Sequence, residues 1–291
     1  MNRIFNLQNV DCQYKGTNTP VLHVEELVIN QGDIVFFVGP SGVGKSTILE
    51  TLGLMSDTIS HSKKSDSLCT LKTSSDTEIS YYNLWNLRES QISKIRHENF
   101  SFIFQSTNLF ESLSAIENVY LPTLFKVGDE LNSVKRVKKV ISDIFPTEYE
   151  TMFKLNSKIT ELSGGQRQRL AFCRAVAHDF RVLFADEPTG NLDVANSHNL
   201  MEALQKNVVS NNGTAIIVSH DINLSLRFAN KVVHITKEDF VDGNFNRKKI
   251  GVINNQNSYE KNINGDWVCM YNKNTVITPD HFKGILISKF N

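Results

Sequence analysis

The sequence reads Gly39-Pro40-Ser41-Gly42-Val43-Gly44-Lys45-Ser46-Thr47 directly after the apolar run of residues 33–38. Because glycines bound that run on both sides, it predicts a short strand buried on both faces. Residues 46–52 continue with a helical pattern. Strand, glycine-rich loop and helix in this order are the context in which GxxxxGK[ST] is a phosphate-binding P-loop. The stretch therefore predicts an α/β fold with a nucleotide site at the start of this helix.

The residue types within this loop suit a Mg²⁺-bound nucleotide. Glycines let backbone N–H groups approach the β- and γ-phosphates without a Cβ in the way. The helix that follows adds the positive end of its dipole. Lys45 supplies a positive charge to the phosphate oxygens, and the hydroxyl of Ser46 can ligate Mg²⁺.

Two acids follow another apolar run. Residues 181–185, Arg-Val-Leu-Phe-Ala, predict a buried strand, and Asp186 and Glu187 come directly after them. Because sites gather at the carboxyl ends of parallel strands, we expect these acids at the same sheet edge as the P-loop. Asp186 suits a Mg²⁺ role. Glu187 is then placed to orient, or take a proton from, the water that attacks the γ-phosphate.

Two further polar residues follow predicted strands. His220 comes after the apolar residues 214–218, and Gln105 follows residues 100–104. An imidazole in this position can donate a hydrogen bond to a γ-phosphate. The amide of Gln105 can ligate Mg²⁺ or hold the attacking water, but an ordinary solvated glutamine explains it equally well.

Composition excludes several classes of protein. Lys plus Arg and Asp plus Glu are both 31 in 291 residues, so there is no basic excess and no direct nucleic-acid partner is expected. The four cysteines, scattered without metal-ligand spacing, predict free thiols in a reducing compartment. The first residues do not have a signal-peptide layout, and no apolar run reaches the ~18 residues of a membrane helix. We therefore expect a cytoplasmic protein.

The remaining stretches differ in pattern. Residues 4–30 alternate apolar runs with turn residues, which predicts a β-rich start. Residues 56–78 are polar with little periodicity and predict an exposed excursion. Residues 106–160 are mostly amphipathic and helical, which predicts an inserted helical subdomain. From 237 to 291 the chain is rich in Asn and Lys, with Trp267 and Tyr271 among its few large apolar anchors.

Taken together, the motifs resemble those of the ATP-binding cassette (ABC) ATPases in order and spacing. The matching positions are residues 39–47, Gln105, Leu162-Ser163-Gly164-Gly165-Gln166-Arg167, Asp186-Glu187, Asn191-Leu192-Asp193 and His220. The resemblance covers about residues 3–236. Residues 104–122 and 182–193 look most like the branch that serves lipoprotein release, macrolide export and cell division.

The resemblance implies a fold: a P-loop NTPase core of ABC type with a mainly parallel sheet. It also implies an N-terminal antiparallel β subdomain and a helical subdomain at about residues 106–160. Residues 1–236 would form the ATPase domain. Residues 237–291 have no counterpart in the minimal cassette and would be a C-terminal extension: a disordered tail, a small β element or a dimer-stabilising segment.

The resemblance also implies roles for the matching residues. Residues that would grip the γ-phosphate held by the opposite subunit are Ser163, Gly164, Gly165 and Gln166. Asp193 would cross the dimer interface towards the partner's P-loop. Tyr14 fits, by position alone, the aromatic that stacks on adenine, although an ordinary buried tyrosine is the alternative. The segment after Gln105 would contact a transmembrane permease.

The expected function is that of an ATP-binding and ATP-hydrolysing subunit. It would dimerise on ATP, as a homodimer, and drive a separate permease at the cytoplasmic face of the membrane for export or membrane extraction. One alternative is a transmembrane signalling complex that moves no substrate. Another is a soluble ABC ATPase that acts on nucleic acid or ribosomes. A regulator that does not turn over would lack Glu187 or His220, and both are present.

Overall fold

The computed structural model describes residues 2–59, 67–73, 76–84, 86–146, 157–241 and 247–290. Its strands are β1 (Arg3–Cys12), β2 (Leu22–Asn30), β3 (Ile34–Val38), β4 (Leu68–Lys72), β5 (Glu78–Ser80), β6 (Phe100–Ile103), β7 (Val182–Asp186), β8 (Thr214–Val218), β9 (Lys231–His234), β10 (Thr236–Val241), β11 (Arg247–Ile253), β12 (Ser258–Lys261), β13 (Trp267–Cys269) and β14 (Val276–Ile277).

The helices are α1 (Lys45–Leu52), α2 (Tyr81–Leu84), α3 (Glu89–Asn99), α4 (Ala115–Val127), α5 (Glu130–Ile144), α6 (Gly164–Val176), α7 (Val194–Ser210), α8 (Ile222–Phe228) and α9 (Pro279–Phe290). A short 3₁₀ helix spans Ile159–Glu161. The chain divides into two compact units. The terminal unit joins Met1–Arg96 to Thr214–Asn291, and the central unit is His97–Gly213.

The first sheet of the terminal unit has six strands in the order β10-β11-β2-β1-β4-β5. Its pairs are antiparallel except that β11 runs parallel to β2. In β1 and β2, buried apolar residues alternate over much of the strand with more exposed ones, as a strand with one face on the core requires. The predicted antiparallel start of the chain is confirmed.

The second sheet of this unit runs β14-β13-β12-β9-β3-β8. Its strands β9, β3 and β8 are parallel, and every residue of β3 and β8 is buried. Helices α1 and α8 pack on them, which explains why these strands read as continuous apolar runs. The predicted α/β fold with a parallel core is confirmed. Antiparallel strands β12, β13 and β14 extend it.

The prediction that residues 56–78 are an exposed excursion is wrong for the part that the structure describes; residues 60–66 and 74–75 lie outside it. Strand β4 pairs with β1, and its Cys69 and Leu71 are 0% exposed. Only alternate residues of such a strand need to be apolar. This short strand has the polar residue Thr70 between its apolar Cys69 and Leu71, and it therefore resembled a polar loop in the sequence.

The C-terminal residues form packed structure. Trp267 in β13 is 0% exposed, and its ring lies 4.8 Å from that of Phe282 in α9. On β12, the ring of Tyr259 lies 4.5 Å from the ring of Phe282. Trp267 is therefore an anchor, as expected. The same expectation for Tyr271 is wrong, because Tyr271 follows β13 in a bend and is 71% exposed. The division of the sequence at residue 236 stays a prediction.

The central unit combines a parallel strand pair, β6 with β7, with packed helices. The helices α4, α5 and α6 enclose an apolar core that contains Val119, Val137 and Leu170. The predicted helical character of residues 106–160 is thus seen in α4 and α5, and residues 147–156 lie outside the described part. The bounds of a helical subdomain at 106–160 stay a prediction. Among the described helices of the whole chain, none is long and apolar enough to cross a membrane.

Candidate active site

The P-loop leads from β3 into α1 through three glycines with positive φ angles. The angle is 148° at Gly39, 70° at Gly42 and 101° at Gly44. A Cβ on Gly39 would lie 2.8 Å from the carbonyl oxygen of Ile235. A Cβ on Gly44 would lie 3.2 Å from Cβ of Leu22. Glycine is therefore favoured by conformation at all three positions and by space at two of them.

Lys45 is the first residue of α1, and its side chain folds back over the loop. The residue is 6% exposed, and its Nζ donates hydrogen bonds of 2.8 Å to the carbonyl oxygens of Gly39 and Pro40. The N-cap residue, Gly44, has no side chain to cap the helix. An ammonium group, glycine backbone and an uncapped helix N-terminus converge here, and this donor set fits the phosphates of a nucleotide.

The first turn of α1 carries the two hydroxyl residues of the motif. Ser46 is exposed and Thr47 is buried. The hydroxyl of Tyr14 lies 3.3 Å from Oγ1 of Thr47 and donates to Oε2 of Glu50 at 3.1 Å. Partial burial raises the pKa of Tyr14, which is 36% exposed. Tyr14 is thus anchored beside the P-loop helix without being fully buried, and its contact with adenine stays a prediction.

His220 leaves the sheet at the same end as the P-loop. Strand β8 runs parallel to β3, with Val218 opposite Phe37, and the P-loop and His220 follow these strands within two residues. His220 is exposed. The next residue, Asp221, caps α8 by accepting a 3.0 Å hydrogen bond from the backbone N–H of Leu224. Within the terminal unit the structure thus places His220 and the P-loop at one sheet edge.

Three other residues predicted to act near the γ-phosphate, Gln105, Asp186 and Glu187, lie together in the central unit. Strand β7 ends at Asp186 and runs parallel to β6, with Ala185 opposite Ile103. Gln105 lies two residues past Ile103 in an exposed turn, so it shares the sheet edge with Asp186 and Glu187. The φ angle of Glu187 is 47°. A non-glycine residue in this left-handed region is strained, and such strain concentrates at functional sites.

Ser163 and Gln166 form a capping box at the start of α6. The hydroxyl of Ser163 accepts from the backbone N–H of Gln166 at 3.2 Å, and Oε1 of Gln166 accepts from the backbone N–H of Ser163 at 2.9 Å. A Cβ on Gly164 would meet no atom within 4 Å. This glycine therefore leaves the helix N-terminus open, and an open N-terminus attracts anions.

Asp193 caps α7. Its carboxylate accepts from the backbone N–H of Asn196 at 2.8 Å and from the Asn196 amide at 2.7 Å. These hydrogen bonds hold the pKa of Asp193 below its usual value. Asp193 is exposed, so the structure shows a helix cap at this position, and its contact with a partner's P-loop stays a prediction.

Sequence reasoning missed two residues that support the site. Gln168 is fully buried on α6, where its amide contacts the loop after Glu187. The available signal was its helical spacing from the apolar residues Ala171 and Phe172. Gly251 in β11 lies against the P-loop residue Val43. No signal in the sequence pointed to it, because the approach joins segments far apart in the chain.

Comparison with known proteins agrees with these observations. The ABC transporter family matches residues 22–190. An uncharacterised ABC transporter ATP-binding protein of Methanocaldococcus jannaschii, MJ0796, is 32% identical over 231 residues, which are 79% of this chain and 92% of that protein. The macrolide export ATP-binding/permease protein MacB of Mannheimia succiniciproducens is 32% identical over 84% of this chain. The chain spans 35% of that MacB.

Solved structures show the same likeness. The dimeric MJ0796 cassette superposes with a TM-score of 0.62 at 30% identity, covering 79% of this chain and 94% of that one. A dimeric post-hydrolysis state of MJ0796 bound to ADP and Pi superposes with a TM-score of 0.60 at 29% identity over the same shares. The resemblance that the motifs predicted is confirmed. The chain belongs to the ABC transporter family, and it is an ATP-hydrolysing cassette of the branch that MJ0796 and MacB represent.

Proposed function

We propose that this cassette dimerises on ATP and drives a separate transmembrane permease, for export or for extraction from the membrane. The observation that supports the proposal is that one chain carries two separate loops suited to phosphate, the P-loop and the N-terminus of α6. In the terminal unit, Lys45 lies against the carbonyl groups of the P-loop. In the central unit, the N-terminus of α6 has free space at Gly164. The solved MJ0796 cassettes are dimers, which supports the same arrangement here.

The chain's own residues have distinct roles in this proposal. Lys45, held against the loop carbonyls, neutralises charge on the phosphates. The proposed ligands of Mg²⁺ are Ser46, Gln105 and Asp186. Bound Mg²⁺ supplies positive charge to the phosphate oxygens. Glu187 accepts a proton from the attacking water.

The remaining site residues complete these roles. His220 donates a hydrogen bond to the γ-phosphate side. Tyr14 contacts the base, and residues 163–166 with Asp193 engage the nucleotide held by the second subunit. Residues 237–291 form a C-terminal extension of the ATPase domain, whose boundary we place at residue 236.

Exposed apolar side chains of the central unit support a permease partner. Phe110, Phe125 and Leu131 are 59%, 76% and 73% exposed. Phe110 follows Gln105 in the loop before α4, and Phe125 and Leu131 lie near the α4–α5 connection. A contiguous exposed apolar patch is typical of an interaction surface, and we propose that these three side chains belong to one. A permease would hold this chain at the cytoplasmic face of the membrane.

The proposal is tested by site-specific photocrosslinking in cells that produce the chain at native level. A photoreactive residue at Phe125 should give an adduct with an integral membrane protein, because Phe125 lies in the proposed contact surface. The matched control is Val209 at the end of α7, which is 73% exposed. Equal labelling from both positions, or adducts with soluble proteins alone, would contradict the permease assignment.

A further inference from the structure

Gln168 connects helix α6 to the loop that carries Glu187. Its Nε2 donates to the carbonyl oxygen of Pro188 at 2.9 Å and to that of Glu187 at 3.3 Å. Its Oε1 accepts from Nδ2 of Asn191 at 3.1 Å. All four residues belong to the central unit. One side chain thus joins helix α6, the end of strand β7 and the segment that leads to Asp193.

This side chain is placed where an apolar residue would normally pack. Gln168 is 0% exposed and lies on the buried face of α6 that includes Ala171 and Phe172. A buried amide is costly unless it is hydrogen-bonded. Here the hydrogen bonds compensate for the lost water and are directed at one loop. Their geometry therefore points to a role in the shape of that loop rather than in the packing of the helix.

The loop that Gln168 holds contains a strained residue. The φ angle of Glu187 is 47°, and the neighbouring carbonyl groups of Glu187 and Pro188 both point at the Gln168 amide. Strained backbone persists only where its surroundings over-determine it. The amide group of Gln168 supplies such a restraint, because one nitrogen fixes two successive carbonyl groups.

The same helix starts at the proposed phosphate-binding residues. Ser163 caps α6, and a Cβ on Gly165 would lie 3.3 Å from Cδ2 of Leu192, next to Asn191. Displacement of the start of α6 should therefore move the loop after Glu187, because two sets of contacts join them: the close contact at Gly165 and the hydrogen bonds of Gln168. Both sets of contacts end on the segment between Glu187 and Asp193.

We propose that Gln168 is a positioning residue, which holds the Glu187 carboxylate in place and couples it to engagement of the α6 N-terminus by the partner's nucleotide. This inference rests on the proposed role of Glu187. Gln168 acts through the backbone of the acidic loop and does not touch the nucleotide. Loss of its hydrogen bonds should lower turnover and leave the P-loop's affinity for ATP intact.

Two substitutions separate hydrogen bonding from packing. Gln168→Met keeps the length of the side chain and removes its polar atoms. Gln168→Glu keeps the acceptor for Asn191 but, when ionised, turns a carboxylate oxygen towards two carbonyl oxygens. When protonated, that carboxyl group donates one hydrogen bond again. The glutamate variant should therefore regain turnover as the pH falls, and the methionine variant should not.

The experiment measures steady-state Mg²⁺-ATP hydrolysis and the affinity for a fluorescent ATP analogue, on the purified full chain. We expect kcat to fall by about tenfold to a hundredfold in Gln168→Met and in ionised Gln168→Glu, as for a misplaced reactive group. The dissociation constant for the analogue should stay at its wild-type value. The matched control is Cys173→Ala, because Cys173 is 0% exposed on the same helix but packs towards α5.

The outcomes are distinct. Wild-type kcat in Gln168→Met, or an equal loss of kcat in Cys173→Ala, would overturn the positioning role. So would a glutamate variant whose pH profile follows that of the methionine variant. Glu187→Gln, measured in parallel, tests the underlying assignment: if that variant turns over normally, the role of Glu187 fails and that of Gln168 fails with it. An inactive Glu187→Gln with a fully active Gln168→Met overturns the Gln168 inference alone.

Discussion

Gly251 lies so close to Val43 that a Cβ on Gly251 would stand 2.0 Å from the Val43 carbonyl oxygen. The same Cβ would stand 2.9 Å from Cδ1 of Leu22. Val43 belongs to the P-loop, whereas Gly251 belongs to β11, beyond residue 236. The C-terminal segment therefore supports the phosphate-binding loop from behind, and only glycine leaves space for it.

Gly251→Ala should therefore displace β11 or the P-loop. We expect the free energy of unfolding to fall by about 1–3 kcal/mol, as for other overpacked sites, and the affinity for ATP to fall with it. Chemical denaturation and titration with a fluorescent nucleotide measure the two effects. Gly284→Ala is the control, because a Cβ there meets no atom within 4 Å. Unchanged stability and affinity in Gly251→Ala would show that β11 does not support the loop.

The proposed composite site predicts complementation between two inactive chains. Lys45→Ala removes the ammonium group at the P-loop, and Gly164→Glu places a negative charge at the start of α6, where the added side chain has space. Each variant alone should be inactive. Mixing them should restore phosphate release, because one site of the mixed dimer has an intact P-loop and an intact α6 N-terminus.

Gly164→Ala is the control for that experiment, since it changes the shape of the helix start without adding charge, and it should keep most of the activity. Phosphate release is measured over a range of mixing ratios and should be maximal near equal amounts. A mixture as inactive as its components would mean that each chain completes its own site.

His178 makes the stability of the chain sensitive to acid. Burial, and then the charge of Lys126, lower the pKa of His178 to about 4. Its unfolded value is about 6.5, so below that pH the unfolded chain takes up a proton that the folded chain does not. The contribution is complete above pH 6.5 and is lost as the pH falls towards 4. It amounts to about 2 kcal/mol between pH 7 and pH 5.

Urea denaturation at pH 7 and pH 5 measures this effect. The free energy of unfolding of His178→Gln should fall less between the two pH values than that of the wild-type chain. The pKa of the neighbouring Asp179 is lowered by its hydrogen bonds with Arg136. Its stabilising contribution is lost only below the unfolded pKa of about 3.9, so Asp179 does not account for a difference between pH 7 and pH 5. Equal pH dependence in the two proteins would contradict a neutral buried imidazole at position 178.

Trp267 anchors the C-terminal strands, so the substitution Trp267→Ala should be strongly destabilising. The side chain is fully buried against Phe282, and truncation of such a residue costs about 3–5 kcal/mol. Tyr271→Ala is the matched control, because Tyr271 is 71% exposed and should change stability by less than about 0.5 kcal/mol. Thermal denaturation of both variants checks the difference. A loss of stability in Trp267→Ala no larger than that in Tyr271→Ala would mean that Trp267 does not anchor these strands.

The phosphate-binding chemistry could be predicted from local sequence. The order of residues 34–47 specifies strand, glycine turn and helix, because consecutive residues determine all three. The acids at 186 and 187 were found in the same way, since they directly follow a short apolar strand. Tyr271 and residues 67–73 were misjudged, because the burial of one aromatic residue or of one short strand depends on the distant elements that pack against it.

The sequence by itself determined the family and the parallel core, and it predicted the residues that carry the phosphate chemistry, because each of these features depends on a contiguous stretch of residues. Only the tertiary structure decided how those motifs are supported. Gly251 packs behind the P-loop, and Gln168 holds the strained turn at Glu187. Both contacts join segments distant in the chain, and their energies depend on atoms within about 3 Å of each other. Neither the periodicity nor the composition of the sequence specifies such short distances between atoms of distant segments.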